Sequence, residues 1–228
     1  MRPTVLAIHG CTVALGDGHE QLCAHWMTRA ERRQCAALAT ARQRADYRAG
    51  RLAAKRAAMR VMRGTAAPSQ EVYAPESLRR VSVQRVPGAA PSVRVREEDG
   101  RWTVFRGTVS IAHRDGRAAA AAASAGTRVG VDVERADSVP PAHLRYFAMD
   151  GELARGPREP AALWALKEAA WKAIAMPGTA PLRSLALEFD AQRQVIAVLV
   201  DGRRRAARGT VLRPWRAHLV AVLRLEDA

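Results

Sequence analysis

The chain reads as an α+β protein in which one pattern, a helix accompanied by antiparallel strands, occurs in both halves. Three observations predict this. Residues 40–63 and 160–175 each carry a helical composition, and each is followed by short strand-like runs rich in Val, Ile, Leu and Phe. A Pro-, Gly- and Ser-rich stretch, 64–100, joins the halves. We expect an N-terminal lobe over 1–108 and a C-terminal lobe over 109–228.

The elements follow in order. Residues 4–14 predict a strand or hairpin ending near Gly16-Asp17-Gly18. Thr28 with Glu31 three residues on forms a capping-box pattern and starts a helix over 28–39. A second helix covers 40–63: Ala45, Leu52 and Met59 lie on one stripe, while Arg44, Arg48, Arg51 and Lys55 line another and form a basic edge. Residues 64–100 read as loops and short strands. Strands resume at 102–105 and 109–112.

Residues 118–123 are six alanines, which by propensity alone say helix. Between Gly116 and Gly126 so short a helix nucleates poorly. We expect a narrow strand, paired through a Gly126-Thr127 hairpin with 128–134. Pro160 suits the first turn of a helix over 160–175. Strands are expected at 185–189, 195–200 and 218–225, with Asp201-Gly202 as a tight turn.

Composition narrows the function. The 228 residues are 48% hydrophobic and 26% charged, ordinary for a globular protein. No apolar run approaches the ~20 residues that span a bilayer, and the apolar stretch ending at His9 is too short for a secretory signal. The expectation is a cytoplasmic protein without a membrane partner. Cys11, Cys23 and Cys35 are too few for a disulfide framework, and they suit a reducing compartment. They alternate with His9, His19 and His25, but a spacing of twelve does not match the tight pairs of zinc modules; they read as buried or incidental.

The net charge of +15 points to a polyanionic partner. Residues 29–63 hold ten Arg and one Lys against only Glu31 and Asp46. Of 37 basic residues only Lys55, Lys167 and Lys172 are lysines, and two of these share the segment from Trp164 to Lys172. A compact ammonium differs from a guanidinium in hydration and in tunable pKa, which singles this segment out.

Three segments carry chemistry. On the strand Val129-Gly130-Val131-Asp132-Val133-Glu134, alternation puts Asp132 and Glu134 on one face. Adjacent carboxylates repel unless a cation lies between them, and hard oxygen donors of this kind suit Mg²⁺. Glu168 and Lys172, four apart on the second helix, read either as an ordinary ion pair or as a third metal ligand beside a phosphate-binding lysine. His113 leaves a strand beside the turn Arg114-Asp115-Gly116, where it either faces solvent or donates to a phosphate oxygen.

In this order the segments resemble the phosphopantetheinyl transferases of the two-lobed type, which activate carrier domains of polyketide and peptide synthetases. The family pattern runs Ser-x-Ser-His, Gly-x-Asp-x-Glu, then Trp-x-x-Lys-Glu-Ala-x-x-Lys; here it stands as Ser110 to His113, Gly130 to Glu134 and Trp164 to Lys172. Gly50-Arg51 followed by Lys55 is similar to the family's Gly-Arg helix, and Gly88 to Pro91 to its Gly-x-Pro loop. Phe147 with Glu152 falls where the family has a similar pair. Ala112 stands in place of the second serine, and two residues instead of one separate Gly88 from Pro91.

The resemblance implies two pseudo-symmetric lobes, a pseudo-dimer in one monomeric chain. It implies that Asp132, Glu134 and Glu168 hold Mg²⁺ and that Lys172, with Lys167 nearby, neutralises the coenzyme A phosphates. His113 would contact a phosphate, and Arg51 with Arg44 would bind the 3′-phosphate. Glu168 would take the proton of the carrier-protein serine. Two other classes account for part of the pattern. A nucleic-acid-binding protein explains the charge but leaves the carboxylates idle, and aromatics at 5% offer little for base stacking. A metal-dependent phosphohydrolase would use the same carboxylates with water as nucleophile.

Overall fold

Each long helix lies across an antiparallel sheet because small residues let the two surfaces approach. The computed structural model describes residues 5–17, 23–64, 73–84, 89–175 and 180–226. The chain divides into two compact units, Met1–Ala125 and Gly126–Ala228. The boundary thus falls seventeen residues beyond the expected 108, because the two strands after residue 108 complete the first unit's sheet.

In the first unit, β1 (Val5–Ile8) and β2 (Cys11–Asp17) form a hairpin whose turn residues, His9 and Gly10, both have positive φ. Three helices follow: α1 (Cys23–Trp26), α2 (Arg29–Ala36) and the long α3 (Ala41–Met62). The expected capping box at Thr28 and Glu31 is present, and Thr40 with Gln43 makes a second one that starts α3. The stretch read as loops and short strands contains α4 (Pro75–Arg79), which was not expected, and the strands β3 (Val81–Gln84) and β4 (Ser92–Arg96); with β5 (Trp102–Val104), the strands make a three-stranded sheet. Gly88 lies outside the described residues.

Strands β6 (Thr108–Arg114) and β7 (Arg117–Ala123) complete a second sheet in the order β1-β2-β7-β6, on which α3 packs. The alanine run is therefore a strand, as expected against propensity, and Ala118 to Ala122 are wholly buried. Its partner differs from the expected one. Both edges of β7 are taken by β2 and β6, so no hairpin joins it to 128–134. Ala118, Ala120 and Ala122 sit in one core with Ala49, Leu52, Ala53 and Ala57 of α3. Gly16 lies where α3 crosses closest: a methyl group there would overlap the Ala49 carbonyl.

The second unit repeats this economy. Its sheet, in the order β8-β12-β11-β10-β9, comprises β8 (Arg128–Arg135), β9 (Leu185–Phe189), β10 (Val195–Val200), β11 (Arg203–Trp215) and β12 (His218–Leu225). Short helices α5 (Leu144–Phe147) and α6 (Glu152–Arg155) precede α7 (Pro160–Ile174), which packs over β8 and β12. Gly130 plays the part of Gly16: a side chain there would strike the Ala169 carbonyl of α7. The turn at Asp201-Gly202 has positive φ at both residues, as expected. The thirteen-residue β11 went unread because Arg203, Arg204 and Arg205 disguise it; Arg204, Arg208 and Arg213 pair with Glu188, Glu226 and Glu159. Among the described residues no helix is long and apolar enough to cross a membrane.

Each unit contains a fully buried lysine–glutamate pair. Lys55 Nζ on α3 lies 2.7 Å from Glu31 Oε2 and donates to the Trp26 and Leu78 carbonyls, both at 3.0 Å. Lys167 Nζ on α7 lies 2.8 Å from Glu152 Oε2 and donates to the Phe147 and Leu185 carbonyls at 2.7 and 2.6 Å. The carboxylates match as well: Glu31 accepts the Val83 and Thr28 amides, Glu152 those of Leu187 and Met149. Burial pushes both lysines below their ordinary pKa, although the glutamates pull the other way. Lys55 thus leaves the expected basic edge and belongs to the core.

Removing one partner of such a pair strands a buried charge, at a cost of about 3–5 kcal/mol. We expect Lys167→Met to lower the unfolding free energy by that much, read as a fall in the denaturant midpoint. Adding Glu152→Gln to it should recover part of the loss, because the uncompensated carboxylate is gone. Equal midpoints for Lys167→Met and wild type would show that the pair does not hold the unit together.

Candidate functional site

The acidic residues singled out by sequence gather in the second unit, on β8 and the facing side of α7. Strand register puts Asp132 opposite Ala221 and Glu134 opposite Leu219, two residues of the core that α7 covers. The alternation expected from sequence therefore holds: the carboxylates face α7, while Val131 and Val133 are buried on the other face. Gly130 explains the pattern's first residue, since only glycine lets α7 come this close to β8.

Asp132 is 7% exposed. Its Oδ1 lies 2.6 Å from Lys172 Nζ, which also donates to the Val131 carbonyl at 3.2 Å. Its Oδ2 is buried without a hydrogen-bond partner. Burial raises its pKa to about 6; Lys172 opposes this, and the charges of Glu134 and Glu168 add to it. Glu168 is half-buried, and its carboxyl is likewise raised by burial, with Lys172 opposing and Glu134 adding. Glu134 accepts a hydrogen bond from Ser138 Oγ at 3.0 Å. Three carboxylates thus feel one another around a single ammonium.

Among the described residues no three His, Cys, Asp or Glu side chains are gathered closely enough to hold a metal ion by themselves. The donor set nonetheless fits Mg²⁺, which uses one or two carboxylates and fills its octahedron with water and substrate oxygens. The orphaned Asp132 Oδ2 is the strongest sign of fit, since buried polar atoms are nearly always satisfied. No family model and no curated protein matches this chain.

Lys167 requires a correction. All three of its donors are spent on Glu152 and two carbonyls, and it is wholly buried. It cannot reach a phosphate and is a structural residue. Trp164 and Trp171 are partly buried and pack on the core of α7.

The remaining sequence candidates lie in the first unit. His113 is exposed at the end of β6, its ring against Gly50, with Nδ1 3.7 Å from Asp46 Oδ2. Asp46 Oδ1 accepts the Gly116 amide at 2.6 Å, so one aspartate of α3 holds both the β6–β7 turn and the histidine. Arg51 is 8% exposed, its guanidinium 4.5 Å above the Tyr47 ring, and its Nε is buried without a partner. Arg44 Nη1 donates to the Leu38 and Ala39 carbonyls and braces the link between α2 and α3. His113 and Arg51 thus flank Gly50, whereas Arg44 is turned to the backbone.

Sequence reasoning missed the supporting acids. Glu31 and Asp46 are the only carboxylates in residues 29–63, and each lies against one of the basic residues singled out by sequence, Lys55 or His113. Their rarity was the available signal. Ser138, four residues past Glu134, gave none.

The Asp132 carboxyl supplies a pH test. A group whose folded pKa lies above its unfolded value contributes stability that is complete below the unfolded pKa of 3.8 and is lost as pH climbs through 6. A displacement of this size is worth about 3 kcal/mol. Without divalent cations, wild type should lose stability from pH 4.5 to 7, and Asp132→Asn should flatten that slope. The same slope in both proteins, measured by chemical unfolding, would place the Asp132 carboxyl in an ordinary environment.

Proposed function

We propose that this chain transfers the 4′-phosphopantetheine arm of coenzyme A to a serine hydroxyl of an acyl or peptidyl carrier protein, releasing adenosine 3′,5′-bisphosphate. The observation that carries the reading is the buried, unpartnered Asp132 Oδ2, with Glu134, Glu168 and Lys172 around it. Asp132, Glu134 and Glu168 would hold Mg²⁺, which neutralises pyrophosphate charge and polarises the phosphoryl group.

The side chains have distinct work. Glu168, its basicity raised by burial, takes the serine proton as the serine oxygen bonds to phosphorus. The bond that breaks leaves its electron pair on the phosphate of the adenosine product. Lys172, tethered to β8 through Asp132 and the Val131 carbonyl, stabilises that developing charge. His113, steadied by Asp46, and Arg51, seated on Tyr47, bind coenzyme A phosphates in this reading. The same buried lysine–glutamate geometry and the same glycine contact in each unit support reading the two units as duplicated, pseudo-symmetric lobes of one monomer. The partners are then coenzyme A and a carrier protein in the cytoplasm, with no nucleic acid.

The decisive measurement is the intact mass of apo carrier proteins incubated with coenzyme A and Mg²⁺, which should gain one phosphopantetheinyl group. Release of the arm into water without labelling would instead mark a phosphohydrolase. Glu168→Gln should lower kcat by about 100-fold or more. Lys172→Ala should lower kcat and kcat/KM together; a rise confined to KM would reduce Lys172 to a binding contact.

Arg51 allows a separate test. A charge-assisted contact to phosphate is worth ~1.5–3 kcal/mol, so Arg51→Ala should weaken coenzyme A roughly tenfold or more. Binding of 3′-dephospho-coenzyme A should hardly change, and equal losses for both ligands would remove Arg51 from the 3′-phosphate site.

A further inference from the structure

The first unit has a concave surface that the proposed transfer does not use. A pocket of about 500 Å³ is lined by His25, Arg29, Arg32, Arg79, Arg96 and Trp102, among others, and among the described residues no carboxylate lines it. The basic side chains come from separate places in the sequence. His25 lies on α1, Arg29 and Arg32 on the first turn of α2, Arg79 at the end of α4 and Arg96 at the end of β4. Arg96 and Trp102 are direct register partners on β4 and β5, so their side chains share one face of the small sheet.

Elsewhere on this chain, exposed arginines find carboxylates: Arg135 with Asp137, Arg204 with Glu188, Arg208 with Glu226 and Arg213 with Glu159. Among the described residues no carboxylate pairs with Arg29, Arg79 or Arg96. Four guanidiniums converging on one hollow repel one another, a cost that a bound anion relieves. Three of them are also held in place. Arg32 Nη1 donates to the Met27 carbonyl at 2.7 Å, Arg79 Nε to the His25 carbonyl and Arg96 Nε to the Gly100 carbonyl. A guanidinium fixed through one N–H loses less entropy when it grips a ligand.

We propose that this pocket binds a small phosphorylated ligand of the nucleotide class, the arginines taking the phosphates and Trp102 the flat base. The volume is that of a small-molecule site rather than a protein footprint. Arginine forks match phosphate oxygens two at a time. Trp102 is 38% exposed, which leaves its ring accessible for stacking. The inference is independent of the transferase reading, since none of these residues belongs to that site.

The test uses the whole chain with ATP, inorganic triphosphate and adenosine as probes, titrated by calorimetry at fixed salt. ATP should bind wild type, and the double variant Arg79→Ala/Arg96→Ala should weaken it roughly tenfold or more. Among the described residues the Arg29 side chain has no backbone hydrogen bond to lose, and Arg29→Glu should weaken ATP and triphosphate alike without shifting thermal unfolding. Trp102→Ala should weaken ATP but not triphosphate. ATP binding unchanged in the arginine variants would overturn the proposal, as would the absence of ATP binding to wild type. Equal affinity for ATP and triphosphate, insensitive to Trp102→Ala, would overturn the nucleotide assignment. Displacement of ATP by a glutamate decapeptide of higher affinity would reassign the pocket to an acidic protein segment.

Discussion

The buried lysine–glutamate pair is the interaction on which each unit depends. An ammonium taken wholly out of water is stable only if all its protons are bonded and a countercharge is beside it. Lys55 and Lys167 meet that demand in the same way, each with one carboxylate and two carbonyls. The carbonyls come from segments far apart in sequence, so one side chain of the long helix gathers three others. In the first unit these are the end of α1, the capping turn of α2 and the end of α4; in the second they are α5, α6 and the start of β9. The helix is thereby positioned on its sheet, and the glycine contacts at Gly16 and Gly130 set how closely it lies.

Against that complete satisfaction, the environment of Asp132 stands out. It too meets a lysine across the helix–strand contact, yet only one of its oxygens is bonded. Two further carboxylates add repulsion in place of relief. In contrast to the fully bonded lysine–glutamate pairs, this carboxyl keeps one buried oxygen unbonded. The difference between Lys167 and Lys172, five residues apart on one helix, follows from the same facts. Lys167 points into the core and is consumed there, whereas Lys172 lies nearer the surface and keeps company with the acidic cluster.

The large positive charge has no single purpose. Some of the arginines sit in surface ion pairs, which contribute little stability individually. These pairs let an arginine-rich strand such as β11 occupy the middle of a sheet. Other arginines brace backbone turns, as Arg44 does. Among the described residues, Arg29, Arg79 and Arg96 around Trp102 have no carboxylate partner.

Local sequence determined the elements whose signals are themselves local. The capping box at Thr28, the proline-led start of α7, the Asp201-Gly202 turn and the alternation that faces Asp132 and Glu134 the same way all follow from neighbouring residues. The strand nature of six alanines was legible too, because glycines bound a run too short to nucleate a helix. Tertiary structure decided the rest, since pairing and burial are long-range. It set β7 between β2 and β6, moved the unit boundary past β7, and made a central strand of the arginine-rich 203–215. It also separated the lysines: spacing put Lys55 on a basic stripe and Lys167 beside Lys172, but only the packing of α3 and α7 could show which ammonium groups are walled in with a glutamate and which one meets Asp132.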